Sequence, residues 1–139
     1  MAHTRWLVVA VSLAVLSSCS SNGDGSKAST LSLQLREYQI TPASSTAKAG
    51  EVTFKATNTG GIEHELVVFK TDLAPDKLPV KGDIVDEEGA GLQAIDEIAE
   101  FAAGKTESKA MTLTAGSYVL ICNVETHYAQ GMRATLTVT

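Results

Sequence analysis

Residues 122–132, CNVETHYAQGM, set a cysteine, a histidine and a methionine at even intervals, C-x4-H-x4-M. Thiolate, imidazole and thioether are donors for soft or borderline metals. A His2Cys set with a weak axial methionine is the donor set of blue copper. The second imidazole is His64, far upstream in GIEHELVVF; the remaining histidine, His3, lies in the N-terminal leader. Zinc accepts cysteine and histidine but does not select a thioether, so Met132 points to copper. Taken singly, each residue has an ordinary explanation. His64 on an apolar strand face would be a satisfied core histidine, His127 a loop residue and Met132 core filler, as Met111 in AMTLT is expected to be. The coincidence of all four in a chain so poor in such residues favours one metal site formed by His64, Cys122, His127 and Met132.

The elements that would position these donors read as strands. LSLQLREYQI (31–40) alternates, with Leu31, Leu33 and Leu35 on one face, and VTFKATN (52–58) sets Val52, Phe54 and Ala56 against Thr53, Lys55 and Thr57. SKAMTLT, SYVLICN and MRATLTVT follow in quick succession, the first two joined through Ala115-Gly116. Cys122 then ends a strand on the face of Tyr118 and Leu120, Met132 opens the next, and His127 lies midway in their connection. His64 shares its face with Leu66 and Val68. Short strands with glycine-rich turns predict an all-β, antiparallel Greek-key sandwich. The stretch 75–104 reads as an acidic, loop-like insertion. Within it, GLQAIDEIAEF (91–101) fits a short helix, from the spacing of Leu92, Ile95, Ile98 and Phe101, or a strand. Its carboxylates, Asp83, Asp86, Glu87, Glu88, Asp96, Glu97 and Glu100, read as a solvated face, with a docking patch for a basic partner as the alternative.

The chain has 139 residues and a formal charge of −5. The acidic balance argues against nucleic acid and against electrostatic adhesion to anionic lipid. The apolar run from Trp6 to Leu16 is short for a membrane span and suits a signal peptide. It ends in Leu16-Ser17-Ser18-Cys19, which resembles the lipobox of bacterial lipoproteins. That resemblance implies a signal peptide over 1–18, lipid attachment at Cys19, a flexible tether over 19–30 and one domain over 31–139. The protein is then exported and held at the cell envelope by lipid, on the outer face of the cytoplasmic membrane or the periplasmic side. Cys122 becomes the sole thiol of the mature chain, in a compartment that oxidises thiols.

From about residue 31 onward the chain resembles the cupredoxins, the blue-copper β-sandwich family. Its C-x4-H-x4-M loop is most similar to the rusticyanin and sulfocyanin type and to bacterial cupredoxin-like lipoproteins. Tyr118-x-Leu120-x-Cys122 and the Thr114–Tyr118 hairpin fit as well. The resemblance implies one Cu(I)/Cu(II) ion of type 1, ligated by His64, Cys122, His127 and Met132, in a monomer that shuttles single electrons between cytochrome- or oxidase-type partners. His127, in an exposed loop, would pass the electron, with Tyr128, Ala129 and Gly131 around it for docking; Tyr128 could equally pack over the loop. Two departures stand out. Glu65 replaces the asparagine that many members carry after the upstream histidine, and an extra carboxylate there is expected to lower the potential. Glu125-Thr126 replaces a Pro-Gly before the loop histidine. Copper storage, delivery or resistance is the alternative function, though no histidine- or methionine-rich tail is present. An enzyme is not expected. No histidines remain for a second copper centre, the loop has one cysteine, and no nucleophile elbow occurs.

Overall fold

A computed structural model describes residues 28–139. The expected leader, the lipid-bearing Cys19 and nearly all of the tether lie outside the described residues. Eleven strands follow in order: β1 Ser29–Arg36, β2 Gln39–Pro42, β3 Thr46–Ala47, β4 Gly50–Asn58, β5 His64–Lys70, β6 Val80–Lys81, β7 Ile84–Val85, β8 Gln93–Phe101, β9 Thr106–Leu113, β10 Gly116–Ile121 and β11 Arg133–Val138. They form a four-stranded sheet in the order β2-β1-β4-β9, a five-stranded sheet in the order β3-β11-β10-β5-β8, and the small β6-β7 hairpin. The sandwich is mixed rather than purely antiparallel: β1 runs parallel to β4, and β3 parallel to β11.

Period-2 patterning closes the sandwich. Leu31, Leu33 and Leu35 of β1 and Val52, Phe54 and Ala56 of β4 are buried, and they meet Leu66, Val68, Tyr118, Leu120 and Leu136 of the facing sheet. Burying each large apolar side chain is worth about 1.5–3 kcal/mol. Cys122, Met132 and Met111 belong to the same cluster. Tyr118 also locks the β9–β10 hairpin: its hydroxyl donates to the Thr114 carbonyl at 2.7 Å and accepts from the Thr114 N–H at 3.0 Å.

The expected short helix is absent: no helix occurs among the described residues, and Gln93–Phe101 is strand β8. Two bulges account for the helix-like spacing. Opposite β5, β8 spends an extra residue between the pairs His64↔Phe101 and Leu66↔Ile98, and another between Val68↔Asp96 and Phe69↔Ala94. Each insertion turns an alternation of two into an interval of three, so Ile95, Ile98 and Phe101 all turn inward from an extended strand.

The acidic insertion is likewise a structured element. Residues 72–92 fold back over the outer face of the five-stranded sheet, where Val67, Phe69, Val119 and Ile121 form a second apolar cluster with Leu78, Val85 and Tyr128. The acidic side chains have individual partners as well as solvent. Asp86 meets Lys81 at 3.0 Å, Asp96 meets Lys109 at 2.6 Å, and Glu87 accepts from Asn123 at 2.9 Å.

Candidate metal centre

Three of the four expected donors meet at one end of the sandwich. His64 opens β5, Cys122 follows β10, and His127 stands in the connection to β11. Nδ1 of His64 lies 3.3 Å from Nδ1 of His127, and Sγ of Cys122 lies 3.8 Å and 3.3 Å from these two nitrogens. The point equidistant from the three atoms is about 2 Å from each. Zinc, an ion of the same row as copper, binds imidazole at about 2.0–2.1 Å and thiolate at about 2.3 Å. The donor set and its spacing therefore fit a single first-row ion. Among the described residues this is the one cluster of histidine, cysteine and carboxylate groups able to hold a metal whose members are all buried.

Met132 is fully buried and immediately precedes β11. Its N–H donates to the His127 carbonyl at 3.0 Å and its carbonyl accepts from the Cys122 N–H at 3.1 Å, so backbone bonds tie it to both loop donors. Gly131 before it has a φ of 106°, a region glycine enters without cost.

The ionisation states suit a neutral, dry cluster. Burial pushes the Cys122 thiol up to about 11, against the backbone N–H groups of Glu65 and Val124 that favour the thiolate. Burial also pulls both imidazoles below their usual value, reinforced at His64 by the nearby His127. Without metal, the site holds a protonated thiol and two neutral imidazoles at neutral pH. A metal must displace the thiol proton, so binding is coupled to proton release.

Glu65 contributes twice. Its backbone N–H reaches Sγ of Cys122 at 3.4 Å. Its carboxyl is pushed up to about 7 by burial and by Glu97 and Glu100, partly offset by a hydrogen bond from the Asn123 backbone. In the metal-free site this group is therefore only partly charged near neutral pH.

The loop is held by parts of the chain that its own sequence does not announce. Asn123 accepts from the Val85 N–H at 2.7 Å and donates to the Val85 carbonyl at 3.1 Å. The Tyr128 hydroxyl donates to the Pro75 carbonyl at 2.8 Å and accepts from the Leu78 N–H at 3.0 Å. Arg133 lies over the Tyr128 ring at 5.4 Å. Tyr128 therefore packs, and does not form a docking surface. His127 is also more enclosed than an exposed loop residue: it is 5% exposed, with Tyr38 of the β1–β2 turn edge-on at 5.2 Å between ring centroids. Thr126 adopts a φ of 71°. A β-branched residue in the left-handed region costs about 1–3 kcal/mol. This is the position where the resembled family has glycine.

Glu37 and Tyr38 also escaped the sequence reading. Glu37 accepts from the N–H groups of Gly61 and Ile62 at 2.7 Å and 3.0 Å, and its Oε1 lies 3.6 Å from Nε2 of His64. Backbone N–H groups, its own first and then that of Gly61, hold its carboxyl below the usual range. A charged residue at a strand end gives no local sign of reaching a histidine so far along the chain.

A family model described as the sulfocyanin (SoxE) domain matches residues 4–139. No curated protein sequence matches the chain. Among solved structures, it is similar to the dithionite-reduced auracyanin of the photosynthetic bacterium Roseiflexus castenholzii, with a TM-score of 0.60 and 21% identity over 81% of this chain and 98% of that one. Auracyanin B matches with a TM-score of 0.56 and 23% identity over 81% of this chain and 89% of its own. Auracyanin A of Chloroflexus aurantiacus, described as a "blue" copper protein, matches with a TM-score of 0.56 and 20% identity over 79% and 98%. At such identities the auracyanins speak to the fold, which is that of the cupredoxins.

Proposed function

The chain belongs to the sulfocyanin (SoxE) family, and from that premise we propose that it is a type 1 copper protein that carries single electrons at the cell envelope, with His64, Cys122, His127 and Met132 as ligands. The observation that carries this reading is the buried triangle of two Nδ1 atoms and one Sγ at 3.3, 3.3 and 3.8 Å. Copper, when bound, supplies the one-electron Cu(I)/Cu(II) couple. The protein supplies a rigid, water-poor cage: His64 from a strand, and the remaining donors from a loop fastened at both ends.

The surroundings favour transfer over catalysis. A cavity of about 420 Å3, lined by Ser29, Leu31, Thr46 and Thr139 among others, opens away from the donors. A second, of about 280 Å3 beside Ile84 and Glu87, does not include them either. Tyr38, 39% exposed, lies edge-on to His127, and Ile62, 45% exposed, stands two residues before His64. They make this end of the sandwich the natural contact for a redox partner that exchanges one electron. Export, a lipid on Cys19 and a tether leading to the domain at 31–139 complete the proposal, resting on the Leu16–Cys19 motif.

Repeated electrochemical cycling of the copper-loaded domain tests the carrier role. A carrier keeps its copper at one ion per chain through oxidation and reduction. Loss of Cu(I) to a modest chelator within a few cycles would instead assign the protein to copper delivery.

A further inference from the structure

His64 has two ring nitrogens in different circumstances. Nδ1 faces the other donors, whereas Nε2 points to the rear and is, among the described residues, the one buried side-chain nitrogen or oxygen without a hydrogen-bond partner. A buried polar atom left unmade costs about 1–3 kcal/mol, so its neighbours matter. The nearest charged group is Glu37, with Oε1 at 3.6 Å. The carboxylate is held in place on its other side, since the same Oε1 accepts the N–H groups of Gly61 and Ile62. Room for it exists only because residue 60 is glycine: a Cβ there would stand 2.7 Å from both Glu37 oxygens.

We propose that Glu37 is the positioning carboxylate of the metal centre, holding the His64 proton on Nε2 so that Nδ1 keeps its lone pair for the metal. The inference rests on the copper reading for its purpose, though its first test does not need copper. A histidine ligand whose rear N–H meets a carboxylate is fixed in tautomer and ring angle and is the more basic donor for it. Closing the 3.6 Å separation by about 0.7–0.9 Å brings the pair to the 2.7–2.9 Å of a charge-assisted bond. With the proton on Nε2, the contact between the two Nδ1 atoms in the metal-free protein is satisfied by His127 donating to His64. The same turn sets Tyr38 beside His127, so the β1–β2 turn reaches both imidazoles at once.

Nitrogen-15 NMR of the metal-free protein at one fixed pH reads the tautomer directly. The proton is expected on Nε2 in the wild type and in Glu37→Gln, which keeps an acceptor oxygen for the loop and the ring, and is expected to shift toward Nδ1 in Glu37→Ala. The copper-loaded proteins supply a second reading. Glu37→Gln removes a negative charge close to the ligand, so its reduction potential should rise while copper stoichiometry stays at one. A carboxylate that only braced the 60–62 loop would leave the His64 tautomer the same in Glu37→Ala, and that result, or an unchanged potential in Glu37→Gln, would overturn the proposal. So would a wild-type His64 protonated on Nδ1. Failure to bind copper with an Nε2-protonated His64 would count against the copper reading while leaving the positioning role of Glu37 intact.

Discussion

His64 and His127 face each other across 3.3 Å, yet they are held by different means. His64 is the first residue of a central strand, fully buried, on the face of Leu66 and Val68 and backed by Glu37. Its position is a by-product of the sandwich core. His127 sits in a turn that begins with a strained Thr126 and is fixed from outside by Asn123, Tyr128 and the 72–92 cover. One half of the site is built by the fold, and the other is fastened to it. The strand half should therefore fail only when the protein fails, whereas the loop half can loosen locally.

The largest effect should come from the strand half. Leu66→Ala, two residues from His64 and fully buried, should cost about 2–5 kcal/mol. Denaturant melts followed by fluorescence and by circular dichroism should show one transition moved to lower denaturant. A preserved midpoint would contradict the idea that His64 is anchored by the core.

Tyr128→Phe tests the loop half. It removes a hydroxyl that makes two hydrogen bonds and leaves the Leu78 N–H unpaired, a loss of about 1–3 kcal/mol. Hydrogen exchange should rise in residues 72–92 and in the ligand loop, with β5 unchanged. Uniform acceleration throughout the domain would mean that the two halves are not separable.

Thr126→Gly should move stability the other way. Relief of the left-handed φ, less the added chain entropy of glycine, should stabilise the metal-free protein by about 1 kcal/mol. Thermal melting of the metal-free variant checks the sign, and a lower melting temperature would show that the turn is not strained in solution.

A further effect is electrostatic and lies between the halves. The Glu65 carboxyl is raised from the ordinary 4.5 to about 7 in the folded chain, chiefly by burial and then by Glu97 and Glu100. The folded state therefore binds this proton more tightly than the unfolded state. The stabilisation is fully present below the unfolded value and is lost as pH rises through about 7. The Glu65→Gln variant, without metal, should lose less stability across that window than the wild type. Equal pH slopes in the two proteins would remove Glu65 from the account.

The same division governs what could be read from the letters. The strand half was legible because Leu31, Leu33 and Leu35, Val52, Phe54 and Ala56, and His64, Leu66 and Val68 obey the period of a half-buried strand. The Cys-His-Met spacing was legible because such residues are scarce in this chain. The β8 strand stood open between helix and strand because its two bulges are set by pairing with β5, and no local signal records a register shift. The cover over 72–92 looked like solvated acid because its buried members, Leu78 and Val85, are sparse, and their partners, Tyr128 and Asn123, are distant in sequence. Glu37 was invisible for the same reason. The burial of His127 was missed because it depends on Tyr38, brought near by a turn at the other end of the chain.

The most direct test of the central claim is a visible and EPR titration of a soluble form starting after Cys19, prepared without metal and loaded with Cu(II). An intense thiolate-to-copper charge-transfer band that saturates at one ion per chain is expected, accompanied by a type 1 EPR signal. Both should disappear in Cys122→Ser. A colourless protein, or a band that survives that substitution, would contradict it.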